Sequence, residues 1–125
     1  MDENDISYLI RGAIFTTYNS FGPGLLESAY ENVLSYLLRE QGLEVKQQLQ
    51  LPILFNNVKL NAGYRIDLLV NNLVIVEIKS VETLIPVHHK QLITYLKLSG
   101  LKLGILVNFN AANISESIIR KVNHL

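Results

Sequence analysis

The sequence predicts an α/β fold, a mixed β-sheet flanked by helices in the order α-α-β-β-β-α-β-α. Three observations predict it. Apolar residues recur at helical spacing over residues 5–19, 25–40 and 86–98. Between Leu43 and Ser80 the period shortens to the two-residue alternation of strands. Tight-turn residues join those strands, whereas a helix separates them from a last strand, Leu103 to Phe109. The early strands should therefore run antiparallel and the last one parallel to its neighbour.

The first helix rests on Ile6, Leu9, Ile10, Ala13 and Ile14. Asn19-Ser20-Phe21-Gly22-Pro23-Gly24 ends it in a loop. The second helix spans residues 25–40, with Leu26, Tyr30, Val33, Leu34, Leu37 and Leu38 as its stripe and Gly42 as its terminator. Leu43 to Leu51 reads as a strand that Pro52 breaks. Ile53 to Leu60 reads as a short hairpin or edge around Asn56-Asn57, so the early sheet has three or four strands. Gly63 to Val70 and Leu73 to Ser80 are strands on either side of Asn71-Asn72. Pro86 to Leu98 is helical, and Gly100 stops it. Ile114 to Val122 is expected to be a short closing helix. No repeat or linker divides the chain, and residues 1–125 read as one domain.

Composition narrows the function classes. Hydrophobic residues make up 49% and charged residues 18%, enough apolar material for a core and too little charge for a disordered chain. The chain has no cysteine, which excludes disulfides, thiolate nucleophiles and zinc-cysteine sites. The acidic start, Met1 to Asp5, predicts no signal peptide, and no apolar run approaches the roughly 20 residues of a membrane helix. A cytoplasmic location is expected. The formal net charge is zero, so the chain as a whole lacks the basic signature of nucleic-acid binding. The charge is unevenly spread. Residues 1–63 carry seven acids and four bases, and residues 64–125 carry four acids and seven bases.

Strand pairing exposes a candidate site. Tyr64, Ile66, Leu68 and Val70 alternate with Arg65 and Asp67, and Val74, Val76 and Ile78 alternate with Glu77 and Lys79. A two-residue turn would place Glu77 opposite Ile66 and Lys79 opposite Tyr64, on the apolar face. Burying unpaired charges costs roughly several kcal/mol. Shifting the pairing by one residue sets Val70 against Val74, Leu68 against Val76 and Ile66 against Ile78. The connection is then Asn71-Asn72-Leu73, or contains a bulge. Asp67 would lie opposite Glu77, and Arg65 opposite Lys79. Directly opposite side chains have Cβ atoms about 5 Å apart. Two carboxylates at that distance repel each other, and a divalent cation relieves the repulsion. Lys79 projects from the same face as Glu77 and is placed to meet a water or a developing phosphate charge. The ordinary alternative is an exposed network of Arg65, Lys79 and the two acids, which contributes little.

Asp67, Glu77 and Lys79 resemble the Asp and Glu-x-Lys core of the PD-(D/E)xK nuclease superfamily. Gly24-Leu25-Leu26-Glu27-Ser28-Ala29-Tyr30 resembles the signature of the GxxExxY family within it. The likeness continues through Pro86 to Leu96 and Gly104 to Phe109. The resemblance implies a restriction-endonuclease-like core. It implies that Asp67, Glu77 and the carbonyl of Ile78 hold Mg²⁺ or Mn²⁺, that Glu27 supports the metal or a bound water, and that Lys79 is catalytic. Gln91 and Tyr95 resemble the Gln-x-x-x-Tyr motif of RecB-like exonuclease domains, which borders the active site.

Read singly, several of these residues have plainer uses. Glu27 suits the first turn of its helix as a dipole partner. Tyr30 reads as a packed aromatic with a satisfied hydroxyl. The loop Gly22-Pro23-Gly24 reads as a plain turn. Gln91 and Tyr95 share a helix face with His88, an ordinary polar stripe unless that face turns toward Lys79. His88 and His89 lack zinc-ligand spacing. Lys90, Lys97, Lys102, Arg120 and Lys121 are available to a phosphate backbone.

The expected function is metal-dependent hydrolysis of nucleic-acid phosphodiesters, with DNA favoured over RNA by the resemblance. The alternative is a non-catalytic nucleic-acid- or protein-binding module on the same fold. A homodimer through the Ile53–Leu60 edge or the first helix is a further option.

Overall fold

A computed structural model describes residues 1–125. Helix α1 covers Glu3–Phe21 and opens with a capping box, in which Asp2 and Asp5 each accept the other's backbone N–H. Helix α2 covers Glu27–Glu40. Strands β1 (Val45–Phe55), β2 (Val58–Val70) and β3 (Val74–Lys79) follow, then helix α3 (Pro86–Ser99) and strand β4 (Leu103–Asn108). A 3₁₀ turn at Ile114–Ser117 leads into β5 (Ile118–Val122). The sheet order is β1-β2-β3-β4-β5, with β3 and β4 parallel and all other neighbours antiparallel. This is an α/β fold with a five-stranded mixed sheet and three helices, consistent with a restriction-endonuclease-like core.

The two faces of the sheet bury two separate cores. On one side Ile6, Ile10 and Ile14 of α1 and Tyr30, Leu34 and Leu38 of α2 cover Val70, Val74, Val76, Ile105 and Val107. On the other, Leu92, Tyr95 and Leu96 of α3 cover Leu69, Ile75 and Leu106. Both faces of β3 and β4 are covered, so these strands are buried almost throughout. Gly104 lets α3 lie this close. A Cβ there would stand 2.6 Å from Leu92 Cδ1, inside van der Waals contact.

Two expectations about elements are corrected. Pro52 does not end the strand: β1 continues to Phe55 with an irregular register between Leu51 and Ile53. Proline is tolerated because β1 is an edge strand, where a missing N–H can face solvent. Ile114 to Val122 is not a helix beyond its first 3₁₀ turn. Ile118 packs toward α1 and α2 while Ile119 packs toward α3, the alternation of a strand. β5 satisfies the edge of β4, from Val107 with Ile118 to Leu103 with Val122.

The β1–β2 hairpin turns at Asn56-Asn57, both with positive φ, as the sequence predicts. The β2–β3 connection is the expected three residues. Val70 pairs with Val74 and Leu68 with Val76, and the N–H of Leu73 bonds to the carbonyl of Val70 at 3.0 Å. Beyond that point the expected register fails. The β2–β3 ladder ends at Leu68 with Val76, so neither Ile66 with Ile78 nor Arg65 with Lys79 forms a ladder pair. Ile66 packs with the α3 core, and Ile78 with the α1–α2 core. The alternation along β2 switches faces between Ile66 and Leu68, at Asp67.

Candidate active site

Asp67 sits where both of its backbone ladders lapse. On the β1 side, the flanking pairs are Gln47 with Leu68 and Leu49 with Ile66, and Gln48 between them adopts a left-handed φ of 52°. On the β3 side, the ladder ends at Leu68 with Val76. The acids take over where the strands splay. The N–H of Asp67 donates to Glu77 Oε2 at 2.8 Å, and the N–H of Ile78 donates to Asp67 Oδ2 at 2.8 Å. Each carboxylate replaces a missing main-chain acceptor of the opposite strand. The predicted meeting of Asp67 and Glu77 is therefore present, through a local opening of the sheet.

Burial sets the electrostatics. Glu77 is only 2% exposed. Desolvation first, and then the nearby Asp67 charge, push its carboxyl up from 4.5 to about 8, against the pull of the Asp67 N–H and Lys79. Asp67 is raised as well, by burial and then by the charge of Glu31, against hydrogen bonds from Ile78 and Gln48. The two acids repel each other and the protein interior disfavours their charge, so both hold protons more tightly than ordinary carboxylates.

Lys79 does not neutralise them by ion pairing. Its Nζ donates to Gln91 Oε1 at 3.4 Å, and Gln91 Nε2 donates to Tyr95 Oη at 2.9 Å. The polar face of α3 thus turns to the Lys79 side of the sheet. The exposed network of Arg65 and Lys79 with the acids is not formed, since the structure's one salt bridge joins Lys46 to Glu44. Tyr95 is 2% exposed. Burial, and then the Glu77 charge, raise the pKa of its phenol.

Glu27 lies at the Lys79 end of β3. Its Oε2 accepts the N–H of Ser80 at 2.9 Å, and Ser80 Oγ donates to the carbonyl of Leu25 at 2.9 Å. These bonds tie the start of α2 to the residue following Lys79. Tyr30 is structural: its ring stacks on Phe109 with centroids 4.1 Å apart. Its hydroxyl donates to the carbonyl of Gly22 and accepts the N–H of Leu25, closing the loop before α2.

The acid that sequence reasoning missed is Glu31, only 8% exposed on α2. Gln48 Nε2 donates both to Glu31 Oε1 at 2.6 Å and to Asp67 Oδ1 at 3.2 Å, and so links the two. Gln47 Nε2 donates to Glu31 Oε2 at 3.0 Å. The available signal was spacing. Glu31 follows Glu27 by four residues and shares its helix face.

The donor set suits a hard divalent cation, which takes carboxylate, carbonyl and water oxygens. No three His, Cys, Asp or Glu side chains converge on one point. The fit is therefore of the kind Mg²⁺ accepts, one or two carboxylates with the remaining positions left to water or substrate phosphate.

A half-buried Asp and a buried Glu on adjacent strands, with a lysine two residues beyond the Glu, define the class. The chain matches the family model described as PD-(D/E)XK nuclease superfamily over residues 4–121 and belongs to that superfamily. Membership supports a nuclease-type function in general. No curated protein and no solved structure matches the chain. No helix is long and apolar enough to cross a membrane.

Proposed function

We propose that the protein is a divalent-metal-dependent nuclease that hydrolyses the phosphodiester bonds of DNA. The observation that carries this reading is the Asp67–Glu77 pair, a half-buried and a buried carboxylate brought together where the sheet opens, with Lys79 beside it. A surface network would leave these acids exposed and paired to cations. We further assign the chain to the GxxExxY family on Gly24, Glu27 and Tyr30, and to the RecB-like branch on Gln91 and Tyr95.

Asp67 and Glu77 would hold Mg²⁺ or Mn²⁺ with the carbonyl of Ile78, and Glu27 would support the site through water. The bound ion supplies Lewis acidity and a water acidic enough to attack phosphorus. Glu77 would serve there as the ionised carboxylate. The ammonium of Lys79 donates hydrogen bonds to the attacking water or to the phosphoryl oxygens as charge builds on them. Gln91 accepts from that ammonium and aims it, and Tyr95 fixes the Gln91 amide. Hydrolysis forms one bond from water oxygen to phosphorus, breaks one ester bond, and leaves a phosphate monoester and an alcohol.

The zero net charge favours a second reading, a binding module that retains the fold. Cleavage of plasmid and oligonucleotide DNA with Mg²⁺ or Mn²⁺ separates the two. The nuclease reading expects cleavage that EDTA stops and that Lys79→Ala abolishes without loss of folding. Binding without cleavage at any metal concentration would favour the module. Homodimerisation would use the exposed Leu54, Phe55, Val58 and Leu60 at the β1–β2 end, and sedimentation velocity tests it.

A further inference from the structure

A cavity of about 400 Å³ lies on the α3 side of the sheet, lined by Tyr64 of β2 and by His88, Lys90, Gln91, Thr94 and Tyr95 of α3. Its size falls within the ~300–1,000 Å³ usual for small-ligand pockets. Gln91 belongs to this cavity and also accepts from Lys79, so the cavity opens beside the amino group of the candidate site.

The lining has a definite chemistry. It contains no acid, but it contains a lysine and a histidine. His88 Nδ1 accepts the N–H of Ile85 at 3.1 Å, which leaves the proton of the neutral ring on Nε2, ready to donate. Tyr64 is half-buried and meets Tyr95 edge to face, with centroids 5.7 Å apart and planes at 66°. That contact holds the Tyr64 ring as a fixed aromatic wall.

We propose that this cavity receives one unpaired nucleotide of a single-stranded nucleic acid, next to the phosphate that is cut. The base stacks against Tyr64, and a flanking phosphate accepts from His88 and Lys90. Within a duplex both faces of a base are covered by its neighbours, so an aromatic wall engages a base that has left the stack. The proposal rests on the nuclease reading for the position of the cut phosphate, and it gives that reading a preferred substrate, an unpaired strand or a frayed end.

Equilibrium binding in EDTA tests it without hydrolysis. Fluorescence anisotropy would follow labelled oligothymidine, oligouridine and a DNA duplex of equal length on the full chain. The wild type is expected to favour single strands over duplex, and the two single-strand probes separate DNA from RNA. Tyr64→Leu keeps apolar bulk without the aromatic face, and Lys90→Ala removes a cation. Each is expected to weaken single-strand binding about tenfold while Tyr64→Phe binds as the wild type does. Circular dichroism would establish that all variants fold. Equal affinity for duplex and single strand, equal losses on both, or no single-strand binding at millimolar protein would each overturn the proposal. Metal-dependent cleavage is read separately. If Tyr64→Leu leaves single-strand affinity unchanged while Lys79→Ala abolishes cutting, the nuclease reading stands and the nucleotide cavity falls. If strand selectivity depends on Tyr64 but no metal supports cleavage, the reverse holds.

Discussion

Glu77 carries two opposed demands: its burial keeps it protonated, and the proposed function needs it ionised. The folded protein holds this proton up to about 8, whereas an ordinary glutamate releases it near 4.5. The stabilisation linked to that proton is therefore full below the ordinary value and is lost as pH rises through about 8. The raised pKa of Asp67 acts in the same direction. The metal-free protein should thus lose Tm between about pH 5 and pH 8, by an amount worth roughly a few kcal/mol. Glu77→Gln should flatten that slope, and a Tm series in EDTA checks it. A slope unchanged in the variant would show that Glu77 is not the group responsible. Calorimetry with Mn²⁺ should show proton release on binding, larger at pH 7 than at pH 9, and no binding to Asp67→Ala or Glu77→Ala. Lys79→Ala should abolish detectable cleavage, a loss of at least about 10²–10³ in rate, as loss of a transition-state donor costs elsewhere. Gln91→Ala, which frees the lysine without removing it, should lose less. Single-turnover rates would rank the two.

At the scale of elements, the site depends on how closely helices approach the sheet. Gly104 is the clearest case, because Leu92 is fully buried and has little room to retreat from a Cβ. Gly104→Ala should destabilise the fold by roughly 1–3 kcal/mol through overpacking. It should also shift α3, and with it Gln91 and Tyr95, away from Lys79. Urea unfolding measures the first effect and the cleavage rate the second. Tyr30→Phe probes the other side of the sheet. It removes both hydroxyl bonds that close the Gly22–Leu25 loop and should cost about 1–2 kcal/mol while leaving Mn²⁺ affinity within twofold. The same scale explains two misread segments. Pro52 ends a strand only where its missing N–H would be needed, and an edge strand does not need it. Ile114, Ile118 and Val122 have helical spacing, but the open edge of β4 offers that segment a full ladder of hydrogen bonds as a strand.

For the whole molecule, the sheet acts as a partition with the acids at an opening in it. Glu31 reaches that opening from the α2 side, and Gln91 and Tyr95 stand near it on the α3 side. Metal binding should therefore stabilise the entire fold rather than one loop. At a hundredfold excess of metal over its Kd the gain is about 2.7 kcal/mol, visible as a Tm that rises with Mn²⁺. Asp67→Ala should abolish the rise.

The sequence by itself determined the α/β class, the mixed sheet and the three-residue β2–β3 connection, and it named Asp67 and Glu77 as neighbours through a register that the strands do not carry that far. These follow from local rules. Period-two burial sets strand register, and asparagines that tolerate positive φ set the turns. Only the tertiary structure decided that the strands splay at Asp67, that Ile66 leaves the face of Ile78, that Glu31 joins the acids, and that the segment after Ile114 pairs as β5. Glu31 and Asp67 are 36 residues apart, and Gln48 that links them takes a backbone conformation that no side-chain pattern announces. Which way the face of α3 turns was likewise undecided until Leu92 seated against Gly104. Periodicity reports which side of its own element a residue occupies. What that side meets depends on packing between elements distant in the chain, where burial and hydrogen bonding of all partners are satisfied together.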